Sequence, residues 1–371
     1  MRSRRAFSPS IIVGVTLLAT PRPSPAAPAR IVPPVVMGYY PSYAAFPDPS
    51  AVRFDRFSDI IQAFVTADAH GHLQSSEGIP DLALTAAAHA HGTRVWLALG
   101  GAEDGENFGK MVRDPGLRAE FIADAVALMV RGEDDGLSLD WESPTADDKQ
   151  ITTDFVRSLR TAMRAANPKS ELILAVSSQP NDSQGFDGPQ LRDLVDYLQI
   201  MTYDFHGPWN DAGHTASLFA APGAADQGQV DSFPPALAYW RDVQGFRPRQ
   251  ILMGIVGYGR GFKVRAWGEK PQAPSAYPEI AYRDILPLIG HGWTRGWDDQ
   301  ANAPWLEKDD GSDRISYDDE ESVADKARWM KGQGLPGFFI WESTQESVGG
   351  DNPLTAAAQN AWRMAIHPSP G

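Results

Sequence analysis

The chain has 371 residues, no cysteine, and 33 basic against 47 acidic side chains, for a net charge of -14. The missing cysteines exclude disulfides, cysteine nucleophiles, thiolate zinc sites and iron–sulfur clusters, and so acidic a surface argues against nucleic acid or an anionic membrane as a partner. Hydrophobic residues at 42% and charged residues at 22% predict a globular chain with an ample core.

In chain order, residues 1–29 read as an export signal. Arg2, Arg4 and Arg5 form a basic start, an apolar stretch runs from Ile11 to Ala19, and Ala27-Pro28-Ala29 resembles a cleavage site. The run Ser3-Arg4-Arg5-Ala6-Phe7 also resembles a twin-arginine signal. The apolar stretch is too short for a stable membrane anchor, so an exported, extracellular protein is expected.

Short apolar runs rich in β-branched or aromatic residues then recur. They predict strands at Val35–Tyr40, Ile60–Thr66, Arg94–Gly100, Gly136–Glu142, Glu171–Ser178, Tyr197–Phe205, Ile251–Tyr258 and Gly337–Glu342. Between them, Leu117, Phe121, Ile122, Ala125 and Leu128 recur at helical spacing. So do Ile151, Phe155, Leu159 and Met163, and then Ser322, Val323, Ala327 and Met330. A last helix is expected over Pro353–Met364, with proline where its missing N–H costs nothing. Strands alternating with helices predict an α/β fold, a closed (β/α)8 barrel. The other candidate, an open doubly wound sheet, lacks its usual G-x-G-x-x-G after the first strand. Gly257-Tyr258-Gly259-Arg260-Gly261 reads as a tight strand exit. The stretch from Tyr258 to Gly337 is too long for one helix, so a small α+β insertion is expected over 263–316. Its acidic run, Asp309–Asp319, reads as a solvated face, without the spacing of an EF-hand.

The most informative stretch is Asp135-Gly136-Leu137-Ser138-Leu139-Asp140-Trp141-Glu142. Alternation puts Ser138, Asp140 and Glu142 on one face, with successive same-face Cα atoms roughly 6.7 Å apart. In a barrel that face points inward and toward the rim, where active sites of this fold sit. Two carboxyls so close do not both ionise easily, which keeps one protonated near neutrality for general-acid work.

This octapeptide resembles the Asp-Gly-x-Asp-x-Asp-x-Glu signature of glycoside hydrolase family 18, the chitinase family. Other segments resemble that family's motifs in its own order: Gly38-Tyr39-Tyr40, Ala63-Phe64, Leu97-Ala98-Leu99-Gly100-Gly101, Met201-Thr202-Tyr203-Asp204, Gly254–Arg260 and Ile340-Trp341-Glu342. Ile315–Asp319 and Trp297-Asp298 resemble the insertion-bearing subgroup. The resemblance implies that residues 30–371 form one catalytic barrel with its insertion. It also implies a retaining, substrate-assisted glycosidase acting on β-1,4-linked N-acetylglucosamine polymers, with no cofactor, no metal and a monomeric state.

On this resemblance Glu142 is the acid, and Asp140 steadies the substrate's acetamido group. Tyr203 donates to the acetamido carbonyl, and Trp341 is the apolar floor. Tyr39, Phe64, Met201, Asp204, Tyr258 and Arg260 line the cleft or support it. Non-proline cis bonds are implied at Ala63–Phe64 and Trp341–Glu342. The sequence departs from the family pattern at Ser138, where a middle Asp is usual, and at Ala98, where a Ser is usual. Ala102 follows the glycine pair where many relatives carry Trp, and Val256 replaces a frequent Pro. Two alternatives stay open: an endo-β-N-acetylglucosaminidase on other glycans, and a lectin that binds such sugars without cutting them. The eight histidines form no H-E-x-x-H pair, and there is no G-x-S-x-G elbow. His206 and His214 are expected at the cleft edge, as neither ligands nor base.

Overall fold

A computed structural model describes residues 33–43, 48–102, 105–142, 144–221 and 230–364. The expected export signal lies outside the described residues.

Eight parallel strands close into a barrel: Val35–Pro41, Asp59–Ala67, Arg94–Gly100, Gly136–Asp140, Glu171–Ser177, Tyr197–Met201, Ile251–Val256 and Gly337–Trp341. Each pairs with its neighbour in chain order. The first strand closes the ring between the second and the eighth. The predicted strands all form. The fourth and sixth end earlier than expected, at Asp140 and Met201, and the residues beyond them turn into the rim.

Strand alternation divides the apolar side chains between two cores. Outward residues such as Leu97, Leu99, Leu137 and Leu139 pack against helix residues Phe121, Phe155, Leu159 and Met163. Inward residues Met37, Tyr39, Ile61, Ala98, Ile173, Leu252 and Phe339 fill the barrel itself. Burial on both faces explains why these strands read as nearly continuous apolar runs. The helices start where capping residues stand. Asp114 accepts hydrogen bonds from Gly116 and Leu117 at the head of Pro115–Arg131, and Asp319 caps Glu320–Gly332 with Ser322 reciprocating.

Between the seventh and eighth barrel strands the chain builds a second, antiparallel sheet. Its order is Ile280–Ala281, Tyr258–Phe262, Arg314–Tyr317, Ala303–Lys308, Trp293–Asp298. Two expectations are corrected here. Gly257–Gly261 is not merely a strand exit: Tyr258–Phe262 is a strand of this sheet, so the excursion starts before position 263. Nor is the acidic run wholly solvated. Asp318 is buried at 1% exposure against the fully buried Lys326, whose Nζ lies 2.5 and 2.6 Å from its two oxygens. Desolvating one charge demands a partner for it, and the helix after the sheet supplies that partner.

Candidate active site

A cavity of about 1130 Å³ opens at the C-terminal ends of the barrel strands. The second strand contributes Phe64, the third Gly100 and Gly101, the fourth Asp140 and Glu142, the sixth Met201, Tyr203 and Asp204, and the eighth Trp341. The second sheet adds Arg260, and Glu279 comes from the segment just before Ile280. The rim is where barrel loops bring residues from distant positions together.

The glycine pair of the third strand has a specific task. Gly100 and Gly101 both have φ of +105°, a region that disfavours any side chain. Gly100 pairs in register with Asp140. A Cβ at Gly100 would collide with the Asp140 carbonyl oxygen, which itself accepts a 2.8 Å hydrogen bond from Gly101 N–H. The backbone of the carboxylate strand is thereby seated directly on the glycines.

Ser138 and Asp140 point into the barrel and are buried, at 0% and 4% exposure. Trp141 points outward onto Phe108, ring centroids 6.0 Å apart. Burial first, and then the Glu142 charge, push the Asp140 carboxyl well above its ordinary range. Burial, followed by the negative charges of Asp204 and Asp182, raises Glu142 to about 7. One Asp140 oxygen, Oδ1, is buried without a hydrogen-bond partner among the described residues. Dry surroundings and like charges are the conditions that keep a glutamic acid protonated at neutral pH.

Asp204 holds the far side of the site with a left-handed backbone, φ 55°. It accepts hydrogen bonds from the Tyr258 hydroxyl at 2.8 Å and from Arg260 Nε and Nη2 at 2.9 Å each. Arg260 also pairs with Glu279 at 2.8 Å, and its guanidinium lies over the rings of Trp209 and Tyr258. Trp341 lies against Tyr39 and Phe64, with centroids 5.2 and 5.6 Å away. The peptide bonds Ala63–Phe64 and Trp341–Glu342 are both cis.

Not every expected residue reaches the cavity wall. Tyr39 and Tyr258 are buried at 2% exposure and lie behind the lining residues. Tyr39 donates to Gln199 Oε1 at 2.6 Å and lies 3.3 Å from Ser138 Oγ. Ala98 lies beside Ser138 in register, below the cavity. The histidines do not edge the cleft. His214 is buried with Nε2 3.1 Å from Asp298 Oδ2, and His206 Nδ1 lies 2.8 Å from the Asp211 carbonyl oxygen.

Sequence reasoning missed Asp182, Glu279, Trp209 and Gln199. Trp209 closely follows the Met201–Asp204 segment, and an exposed aromatic beside a site motif was a usable signal. Asp182 lies in the short 3-10 helix Pro180–Ser183 and Glu279 in an irregular connection, neither long enough to carry a periodic signal, and only folding brings them to the cleft.

The chain matches the family described as "Glycosyl hydrolases family 18" over residues 35–346. It is 29% identical over 277 residues to "Probable chitinase 10" of Drosophila melanogaster, covering 67% of this chain and 12% of that protein. It is 30% identical over 256 residues to "Probable endochitinase" of Caenorhabditis elegans, covering 63% of this chain and 40% of that protein. It therefore spans well under half the length of either relative. The crystal structure of Ostrinia furnacalis Group IV chitinase in complex with allosamidin superposes with a TM-score of 0.80 at 24% identity, over 88% of this chain and 98% of that one.

Proposed function

The chain belongs to glycosyl hydrolases family 18, and from that membership we propose that it is an exported retaining glycosidase that cuts β-1,4 links of N-acetylglucosamine polymers, chitin or chitooligosaccharides. The observation that carries this reading is the pair of buried Asp140 and half-buried Glu142 at the barrel rim, with Glu142 raised to about 7. An acid poised there transfers a proton at neutral pH.

Glu142 gives its proton to the glycosidic oxygen as the bond from the anomeric carbon to that oxygen breaks. The substrate's acetamido carbonyl oxygen attacks the anomeric carbon, and an oxazolinium ion forms. Asp140 accepts the acetamido N–H and offsets the positive charge that develops. Tyr203, which lines the cavity, donates its hydroxyl to the acetamido oxygen. A water then attacks the anomeric carbon and gives a proton to the Glu142 carboxylate. Glu142 is protonated again and the anomeric configuration is retained. Phe64, Met201 and Trp341 supply apolar surface to the sugar, and Arg260 and Asp204 form the polar wall. Tyr39 and Tyr258 hold that wall from behind. The basic start and cleavage-like segment of residues 1–29 support export. No helix among the described residues is long and apolar enough to cross a membrane.

Product analysis on N-acetylglucosamine oligomers, comparing the natural chain with Glu142→Gln, tests the reading. Oligomer release by the natural chain alone supports the glycosidase. Binding by both without cleavage overturns it in favour of a lectin, with Ser138 and Ala98 as the altered positions. Neither cleavage nor binding moves the substrate to other N-acetylglucosamine-containing glycans, the endo-β-N-acetylglucosaminidase reading.

A further inference from the structure

Three buried side chains from three barrel strands meet beneath Asp140: Tyr39, Ser138 and Gln199, at 2%, 0% and 0% exposure. The Tyr39 hydroxyl donates to Gln199 Oε1 at 2.6 Å and lies 3.3 Å from Ser138 Oγ. The other end of the Gln199 amide, Nε2, lies 3.3 Å from Met37 Sδ. That orientation is chemically fixed. Sulfur is a weak acceptor and takes an N–H, whereas a carbonyl oxygen turned toward it would find no proton.

Tyrosine has one hydroxyl proton. With it committed to Gln199, Tyr39 presents only lone pairs to Ser138. Ser138 therefore donates to Tyr39, and its single proton is not available to the carboxyl on the same face of its own strand. The unpartnered, buried Oδ1 of Asp140 agrees with this direction. We propose that Gln199 is a positioning residue of the reaction: by holding the Tyr39 hydroxyl proton, it keeps the hydrogen bonds beneath Asp140 directed away from that carboxyl. The proposal rests on the glycosidase reading for its catalytic meaning, but the hydrogen-bond direction stands without it.

The consequence is electrostatic. A carboxyl that receives no hydrogen bond from below holds its proton more tightly. Asp140 then keeps its proton to higher pH beside the Glu142 charge. The other titratable or charged groups facing this pair are Tyr39 from the first strand, Asp182 beyond the fifth, Tyr203 and Asp204 beyond the sixth, and Arg260 from the second sheet behind Asp204. None of them lies in the Tyr39–Ser138–Gln199 layer except Tyr39 itself.

Gln199→Met keeps the volume and removes the acceptor. The Tyr39 proton then turns to Ser138, and the Ser138 proton is released toward Asp140. Carboxyl-carbon NMR titration of 13C-aspartate-labelled protein, with Asp140 assigned through Asp140→Asn, reads this directly and needs no substrate. The Asp140 midpoint is expected to fall by about half a pH unit or more in Gln199→Met, the effect of one modest hydrogen bond. Tyr39→Phe is expected to shift it in the same direction, since Ser138 loses its acceptor. Gln199→Glu retains the acceptor and is expected not to lower it. In a Ser138→Ala background, Gln199→Met is expected to produce no shift. An unchanged midpoint in both Gln199→Met and Tyr39→Phe overturns the proposal, as does a fall that persists without Ser138. The acid limb of kcat/KM on N-acetylglucosamine oligomers is expected to follow the NMR shift. If the natural chain cuts no oligomer, the glycosidase reading fails while the titration still decides the role of Gln199.

Discussion

Arg260 holds Asp204 through two parallel hydrogen bonds of 2.9 Å each, and this pair ties the second sheet to the end of the sixth barrel strand. The fork geometry is what lysine cannot reproduce. Arg260→Lys is expected to lower kcat/KM on N-acetylglucosamine oligomers by about tenfold, the loss of roughly one charged hydrogen bond. An unchanged kcat/KM would show that the pair leaves the reaction untouched.

Asp182 raises Glu142 by charge and makes no ion pair in the described structure. Its side chain accepts only a 3.3 Å hydrogen bond from Ser177. Asp182→Asn removes a negative neighbour, so the Glu142 carboxyl should titrate below its present value of about 7. The alkaline limb of kcat/KM, which reports loss of the acid's proton, is then expected to move to lower pH. A limb that moves up or stays in place would contradict this assignment.

Ser138→Asp places a second carboxyl immediately below Asp140 in a dry layer. Two acids there share a proton, which raises the pH at which Asp140 ionises. The acid limb of the pH–rate profile is expected to move to higher pH, with a changed turnover. If profile and turnover both match the natural chain, the serine is not what distinguishes this site.

Asp134 lies at the opposite end of the fourth strand, 4% exposed, with Oδ2 unpartnered among the described residues. Burial, then the charge of Asp135, raises it from 3.8 to about 7. The folded chain therefore binds this proton more tightly than the unfolded chain does. The resulting stability is complete below the unfolded value and is lost as pH rises through about 7. Asp134→Asn is expected to gain on the natural chain between pH 4 and pH 8, by roughly 1–3 kcal/mol at the upper end. Urea denaturation at several pH values measures it, and a constant difference between the two proteins would refute it.

Lys326 and Asp318 form an almost fully buried pair. Lys326→Met leaves Asp318 unpaired in the interior and is expected to cost about 3–5 kcal/mol. Lys326→Met with Asp318→Leu is expected to cost less than the single change, because no charge remains buried. Denaturant unfolding of the two variants tests the order; if the double variant is the less stable, the pair is not the source of the penalty.

The barrel and the carboxylate strand were legible in the sequence because they rest on local periodicity, and the family because its motifs are resembled in order along the chain. Alternation along Gly136–Glu142 alone places Asp140 and Glu142 on one inward face, and the apolar runs mark all eight strands. What tertiary structure decided is which distant groups surround those carboxyls. Asp182, Glu279, Trp209 and Gln199 come from separate connections or strands, and no spacing links them to residue 140. Folding also turned Tyr258–Phe262 from an apparent exit into a strand of the second sheet, since pairing with Arg314–Tyr317 is a long-range event. It likewise drew Asp318 out of an apparently solvated acidic run and placed it against Lys326. Composition names an acidic side chain, but only packing decides whether water or a protein cation neutralises it.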